Sequence, residues 1–363
     1  MVRTILMMAA MMTSGSAAPL TFYLGTYSRP GKDSGVMAGT MDSETGDFGK
    51  TWVAGEAKNP SFVAVSRDGR NVYAAAESGD GSVVAFRIVE PGKLERLNEQ
   101  PSGGGGACHV WEAAGHVFVA NYGGGSKAML PRRPDGSLDP AAELIVFEGS
   151  GPDPKRQKKP YGHGVMTSPD GRFVYACDLG TDSVWVYELD AANSKLEPRE
   201  PGKVPPGSGP RHLVISPDGR RLYVNNEMGM SVSTFERDLK TGTLTLRQTL
   251  PTLPDGTKKE GSSTAEILMT PDGRFVFVTN RGHDSVTGYR VREDGDLEWI
   301  ENVPAGVKVP RGAGLDPSGR WLVVAGQDDG MLVSFQIGGD GRLKPVGSAQ
   351  TNAVPVSVAF GPL

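Results

Sequence analysis

Past residue 19, hydrophobic positions fall in short runs that alternate with polar ones and are cut by turn residues. Phe173-Val-Tyr-Ala176, Leu222-Tyr-Val-Asn225, Phe275-Val-Phe-Val278 and Trp321-Leu-Val-Val324 are continuous apolar runs of strand length. Each is followed by a polar turn and an alternating segment such as Ser183-Val-Trp-Val-Tyr187 or Ser231-Val-Ser-Thr-Phe235. A second turn leads to a wetter strand, as in Thr241-Gly-Thr-Leu-Thr-Leu246. Helical spacing at i, i+3, i+4 is not sustained anywhere, so the pattern predicts an all-β chain.

The pattern repeats. Ser168-Pro-Asp-Gly-Arg172, Ser216-Pro-Asp-Gly-Arg220, Thr270-Pro-Asp-Gly-Arg274 and Asp316-Pro-Ser-Gly-Arg320 are near-copies, and Ser66-Arg-Asp-Gly-Arg70 is a fifth. The prolines at 169, 217, 271 and 317 are 48, 54 and 46 residues apart. A double-length gap before Pro169 holds one more unit, with a degraded turn at Glu112-Ala-Ala-Gly-His116. Pro presets φ and Gly accepts positive φ, so each copy is a turn joining two strands. Four strands per repeat, at this period, is the grammar of a propeller blade. Six blades carry such a turn. Thr21-Phe-Tyr-Leu-Gly-Thr26 reads as the strand after a turn and Pro355-Val-Ser-Val-Ala-Phe360 as the strand before one. Joining the two ends in one blade predicts a closed seven-bladed β-propeller over residues 20–363 and leaves no free sheet edge. The alternative is an open solenoid. No Trp-Asp dipeptide occurs, which argues against the WD40 class.

Composition narrows the functional classes. With 50 glycines and 27 prolines in 363 residues the chain is turn-rich, yet 38% hydrophobic residues suffice for a core. The 38 basic and 42 acidic residues nearly balance, which excludes a general nucleic-acid binder. No apolar stretch is long enough to span a bilayer. Two cysteines, Cys108 and Cys177, allow one bridge at most and otherwise read as small buried hydrophobes. Neither the cysteines nor the five scattered histidines have zinc-ligand spacing. Residues 1–19 stand apart: Arg3, the apolar run Ile5 to Met12 and the small residues before Pro19 read as an export signal or as a disordered leader. The protein is expected to be periplasmic or secreted in the first case and cytoplasmic in the second.

Aligning the blades on Glu77, Asn121, Asp178, Asn226, Asn280 and Gly326 puts Ser78, Tyr122, Leu179, Glu227, Arg281 and Gln327 in the next slot. Fifteen residues upstream stand His163, Arg211, Ala265 (beside Glu266) and Arg311. Neighbouring antiparallel strands bring both slots to one sheet edge. A carboxylate, an imidazole and several guanidiniums should therefore meet around the hub: Glu227, Glu266, His163, Arg211, Arg281, Arg311 and, from a nearby turn, His109. Loops on one rim of a rigid scaffold are where binding groups usually sit, although the same charges could simply pair across blades. His212, next to Arg211, is expected to point the other way into the sheet. His116 and His283 read as surface turn residues. Lys155-Arg-Gln-Lys-Lys159 reads as a solvated loop that could attract anions.

Tyr23-Leu-Gly-Thr-Tyr27, Ala120-Asn-Tyr122, Pro160-Tyr-Gly-His163, Gly209-Pro-Arg-His-Leu213, Asn225-Asn-Glu227, Ala265-Glu-Ile267, Asn280-Arg-Gly282 and Pro310-Arg-Gly312 resemble the lactonase family of seven-bladed propellers. That family includes bacterial 6-phosphogluconolactonase and fungal carboxymuconate-lactonizing enzymes. His163, Arg211, Glu227 and Arg281 match the proposed active-site set of the lactonizing branch. The family's usual histidine two residues before His163 is Tyr161 here, and Gly164 replaces a small polar residue. The resemblance implies a carboxylic ester hydrolase that opens a small sugar lactone by a scheme that calls for no metal or cofactor; the oligomeric state is open, with a monomer as one reading. His163 is expected as acid/base, with Glu227 orienting it or sharing the role; their order is open. Arg211 and Arg281 suit the oxyanion and product carboxylate. Arg311, Glu266, His109 and Tyr122 are expected to contact substrate, Arg311 at a phosphate. The alternatives are an exported lactonase or lactonizing isomerase acting on an unphosphorylated lactone, and a non-catalytic propeller that binds a ligand or a protein.

Overall fold

The computed structural model describes residues 19–362. The leader expectation falls on residues outside these, apart from Pro19. The chain forms 28 strands, grouped in seven four-stranded antiparallel sheets, and no helix among the described residues. Six sheets are built from consecutive segments: 60–101, 107–146, 162–203, 210–251, 263–304 and 310–350. They are blades one to six. In the seventh, Pro355–Phe360 forms the innermost strand and pairs with Leu20–Thr26, for example Tyr23 opposite Ala359. The ring closes as the repeats predict.

The Pro-Asp-Gly turns form for identifiable reasons. In the fourth blade the Ser216 hydroxyl donates to Asp218 Oδ1 at 2.6 Å, and that carboxylate accepts the Arg220 N–H at 3.0 Å. Gly219 closes the turn at φ +73°, where a β-carbon is strained. The degraded copy in the second blade is instead a two-residue hairpin, with Ala114 and Gly115 both at positive φ. This blade's inner hairpin is therefore shorter. His116, expected at the surface, is buried beside it and bonds Ser194 Oγ at 2.8 Å, whereas His283 is exposed.

The core is divided among the blade interfaces. Each of seven apolar clusters lies between two neighbouring blades; one joins Phe173, Tyr175 and Val186 of the third to Leu213, Val224 and Phe235 of the fourth. Tyrosines tie several blades to the next: Tyr73 OH donates to Gly136 O, Tyr175 OH to Gly242 O and Tyr223 OH to Gly295 O. The seven innermost strands are left facing a central channel. Cys108 and Cys177 are buried and unbridged.

Candidate functional site at the hub

Near the start of every innermost strand the pairing slips. In the fourth blade it passes from Pro210 opposite Asn226 to His212 opposite Asn225, leaving Arg211 as an extra residue. The equivalent slip lies at Ser61, Cys108 and Arg311, across His163–Gly164 and Ala265–Glu266, and near Val356 in the closing blade. A bulge of this kind bends the strand and re-aims its side chains. It explains the one orientation that strict alternation mispredicts. Arg211 and His212 both face the hub, with Arg211 Nη1 3.3 Å from the His212 ring nitrogens.

The register also corrects the frame in the first blade. Pro60 pairs with Ala76, so Ala76 is the counterpart of Asn226, and Glu77, rather than Ser78, is the counterpart of Glu227. Tyr27 follows the corresponding strand of the closing blade. Its hydroxyl donates to Glu77 Oε2 at 3.1 Å, and Arg311 lies 5.4 Å over its ring.

Glu227 is the centre of the mouth. Its side chain is 9% exposed, and Oε2 lies 3.2 Å from Arg211 Nε and 3.0 Å from Arg281 Nη2. Oε1 accepts from Arg156 Nη2 at 2.6 Å. Burial alone would raise this carboxyl, but Arg281, Arg211 and Arg156 together outweigh it and bring it down to about 2. Arg211 also donates to Ala265 O, and Arg281 Nη2 to Thr264 O at 2.7 Å. The Nε–H groups of both arginines are buried without an aligned hydrogen-bond acceptor, that of Arg211 still facing the Glu227 carboxylate. Four guanidiniums (Arg156, Arg211, Arg281, Arg311) thus face two carboxylates, Glu77 and Glu227. The mouth carries an excess of positive charge.

His163 sits beside this cluster. Its ring centroid is 4.9 Å from His212 and 5.6 Å from Tyr122, with Cys108 Sγ 3.8 Å from Nδ1. Burial first, then Arg211, His212 and Arg311, hold the imidazole well below its ordinary range, so it is neutral near pH 7. Tyr122 packs on Tyr161 at 4.9 Å. His163, Arg211, Glu227, Arg281, Arg311 and Tyr122 therefore converge on one mouth.

His109 and Glu266 lie one layer deeper. His212 Nδ1 is 2.7 Å from Glu266 Oε1, and His109 stacks on Phe62 at 4.2 Å and meets His212 at 4.8 Å. These rings line a cavity of about 560 Å³ whose apolar walls reach the turns at Pro169, Pro217 and Pro271. Burial raises the Glu266 carboxyl to about 7, against the pull of Arg211. His109 and Glu266 thus bear on the mouth through His212. Among the described residues no three His, Cys, Asp or Glu side chains are grouped to hold a metal ion.

Sequence reasoning missed Arg156 and His212. Arg156 belongs to the run read as a solvated loop, and neighbouring Gln157 is fully buried, donating to Leu179 O and Asp182 Oδ1 at 2.8 Å each. Gly164 has a structural reason. A β-carbon there would lie 2.7 Å from the Arg211 carbonyl oxygen and 2.9 Å from His212 Cα, so glycine lets the third and fourth blades approach. Gly164→Ala is expected to push the Arg211 bulge outward, costing about 1–3 kcal/mol of stability and roughly tenfold in kcat/KM. Thermal unfolding and steady-state kinetics measure the two effects.

A closed seven-bladed propeller with an arginine–glutamate–histidine hub is the class of protein these features define. Residues 21–360 match the family Lactonase, 7-bladed beta-propeller. The chain belongs to that family. It is 32% identical to the 6-phosphogluconolactonase of Bacillus subtilis (strain 168) over 344 residues, 93% of this chain and 97% of that protein. It is 29% identical to the 6-phosphogluconolactonase of Formosa agariphila over 330 residues, 86% and 91% of the two chains. Among solved structures, the Pseudomonas aeruginosa periplasmic gluconolactonase superposes with a TM-score of 0.88 at 28% identity, covering 95% of this chain and 99% of the other.

Proposed function

We propose that the protein is a lactone hydrolase of the 6-phosphogluconolactonase type, opening 6-phosphogluconolactone with water to 6-phosphogluconate. The observation that carries the reading is the Glu227 carboxylate held by Arg211 and Arg281 beside a neutral His163. Ester hydrolysis needs a proton acceptor for water, stabilisation of the tetrahedral oxyanion, and a proton for the departing alkoxide. Neutral His163 accepts the proton as the water oxygen bonds to the carbonyl carbon. The negative charge forms on the carbonyl oxygen, facing Arg211 and Arg281. As the ring C–O bond breaks, the imidazolium returns its proton to the alkoxide. Glu227 keeps the two arginines in place and offsets their repulsion of the developing imidazolium. Arg311, fixed by Tyr27, contributes to the anion-attracting field.

A second reading has its own support. The Arg3 and Ile5–Met12 leader pattern, together with the likeness to a periplasmic gluconolactonase, favours an exported enzyme acting on an unphosphorylated lactone. Proton release in weak buffer, with each lactone in turn, tests both. His163→Ala is expected to lower kcat at least a hundredfold. Equal rates in wild type and His163→Ala reject the catalytic assignment, and the lactone that turns over decides between the readings.

A further inference from the structure

We infer that Arg156, flanked by Lys159 and Lys259, forms an anion subsite that takes the phosphate of a phosphorylated lactone, and that Glu227 occupies this guanidinium in the free protein. The inference rests on the lactonase reading and names what the mouth selects. The three guanidiniums on Glu227 are not equivalent. Arg211 and Arg281 side chains are 4% and 15% exposed, whereas Arg156 is 44% exposed. The backbone beneath Arg156 is fixed: buried Gln157 anchors the loop, and Asp153 Oδ1 accepts the N–H groups of Lys155 and Arg156 at 2.7 and 3.0 Å. The arm is thus held at its base, and its tip, though paired with Glu227, is open to solvent.

The surroundings suit a dianion. Lys159 Nζ donates to Gly123 O at 2.7 Å, next to Tyr122, and Lys259 Nζ donates to Gly229 O at 3.1 Å, two residues past Glu227. Two loops, around 148–161 and 252–262, therefore bring ammonium groups to the rim on either side of Arg156. The acids on these loops are Asp153, spent on backbone N–H groups, and Glu148, Asp255 and Glu260, none of which forms an ion pair with Lys159 or Lys259 among the described residues. Tyr122 OH, 3.5 Å from Arg156 Nη2, adds a further donor. A guanidinium binds phosphate oxygens in a bidentate way, and a phosphate outcompetes one carboxylate oxygen by its second charge. Seating it frees Glu227 Oε1, while Oε2 keeps Arg211 and Arg281.

The test compares wild type, Arg156→Gln and Arg156→Lys, with thermal unfolding as the control for folding. Calorimetry measures binding of 6-phosphogluconate and gluconate. Wild type is expected to prefer the phosphorylated acid at least tenfold, Arg156→Gln to lose that preference, and Arg156→Lys to retain part of it. In kinetics, the ratio of kcat/KM for phosphorylated over unphosphorylated lactone falls at least tenfold in Arg156→Gln, through KM. A preference that survives in Arg156→Gln, or is missing from wild type, overturns the inference. So does an equal loss on both lactones, which would mean that Arg156 only positions Glu227. If wild type opens no lactone, the hydrolase reading fails, and the binding measurements still decide the subsite.

Discussion

Glu227→Gln is expected to lower kcat/KM at least a hundredfold and to reduce the melting temperature by about 5 °C. The carboxylate is the shared counter-ion of two buried guanidiniums and one exposed one. Removing one partner of a buried ion pair leaves uncompensated charge and typically costs about 3–5 kcal/mol. Spread over a domain of this size, that is a shift of several degrees. An amide supplies one neutral acceptor where three cations converge, so Arg211 and Arg281 lose the anchor that holds them against the reacting carbonyl. Preorganised charge of this kind is worth about a hundredfold or more in rate. The pH dependence has a definite sign. Because Glu227 titrates at about 2 in the folded protein against an ordinary 4.5, its contribution is complete above 4.5 and is lost as pH falls toward 2. Glu227→Gln should lack that part of the acid limb. In the double variant Glu227→Gln/Arg281→Gln the melting temperature should partly recover, because the excess charge is gone, while turnover does not. Wild-type rate and stability in Glu227→Gln would remove the carboxylate from both roles.

The sequence announced the ring and half of the hub. Strand number, blade count and closure all follow from a repeated turn whose chemistry is local, in which Ser216, Asp218 and Gly219 make every contact the turn needs. The mouth residues were legible because their spacing within the repeat is constant. Two kinds of residue escaped. A bulge inserts a residue without altering the hydrophobic pattern, so His212 reads as sheet-facing when it caps Glu266 in the channel. Arg156 escaped because a loop arm is placed by tertiary anchors, here Gln157, that carry no period. The misaligned Glu77 shows the limit of spacing alone. A one-residue error in frame moves a carboxylate out of the ring, and only the Pro60–Ala76 pairing restores it.

Lys127→Met is expected to raise the melting temperature by about 3–6 °C at pH 6 and to make little difference near pH 10. Lys127, on the strand Ser126–Pro131, is 1% exposed, and Nζ has no hydrogen-bond partner. It lies 3.6 Å from the centre of the Tyr187 ring. Burial, opposed weakly by Glu143, lowers the ammonium from its ordinary 10.5 to about 7. Between those values the unfolded chain binds one more proton than the folded one, so stability rises with pH across the window. Below pH 7 the folded protein carries the whole penalty of a buried cation. At about 1.4 kcal/mol per pH unit this amounts to roughly 5 kcal/mol, less what the ring face returns to the charged form, which is about 1–2 kcal/mol. Methionine fills a similar volume without a charge to bury and leaves the Tyr187 face in contact with a polarisable sulfur. The expected signature is therefore a difference between the two melting curves that shrinks steadily from pH 7 to 10. A constant offset would assign the effect to packing, and a loss of stability at pH 6 would mean that the ring and the ammonium together stabilise the second and third blades more than burial costs them.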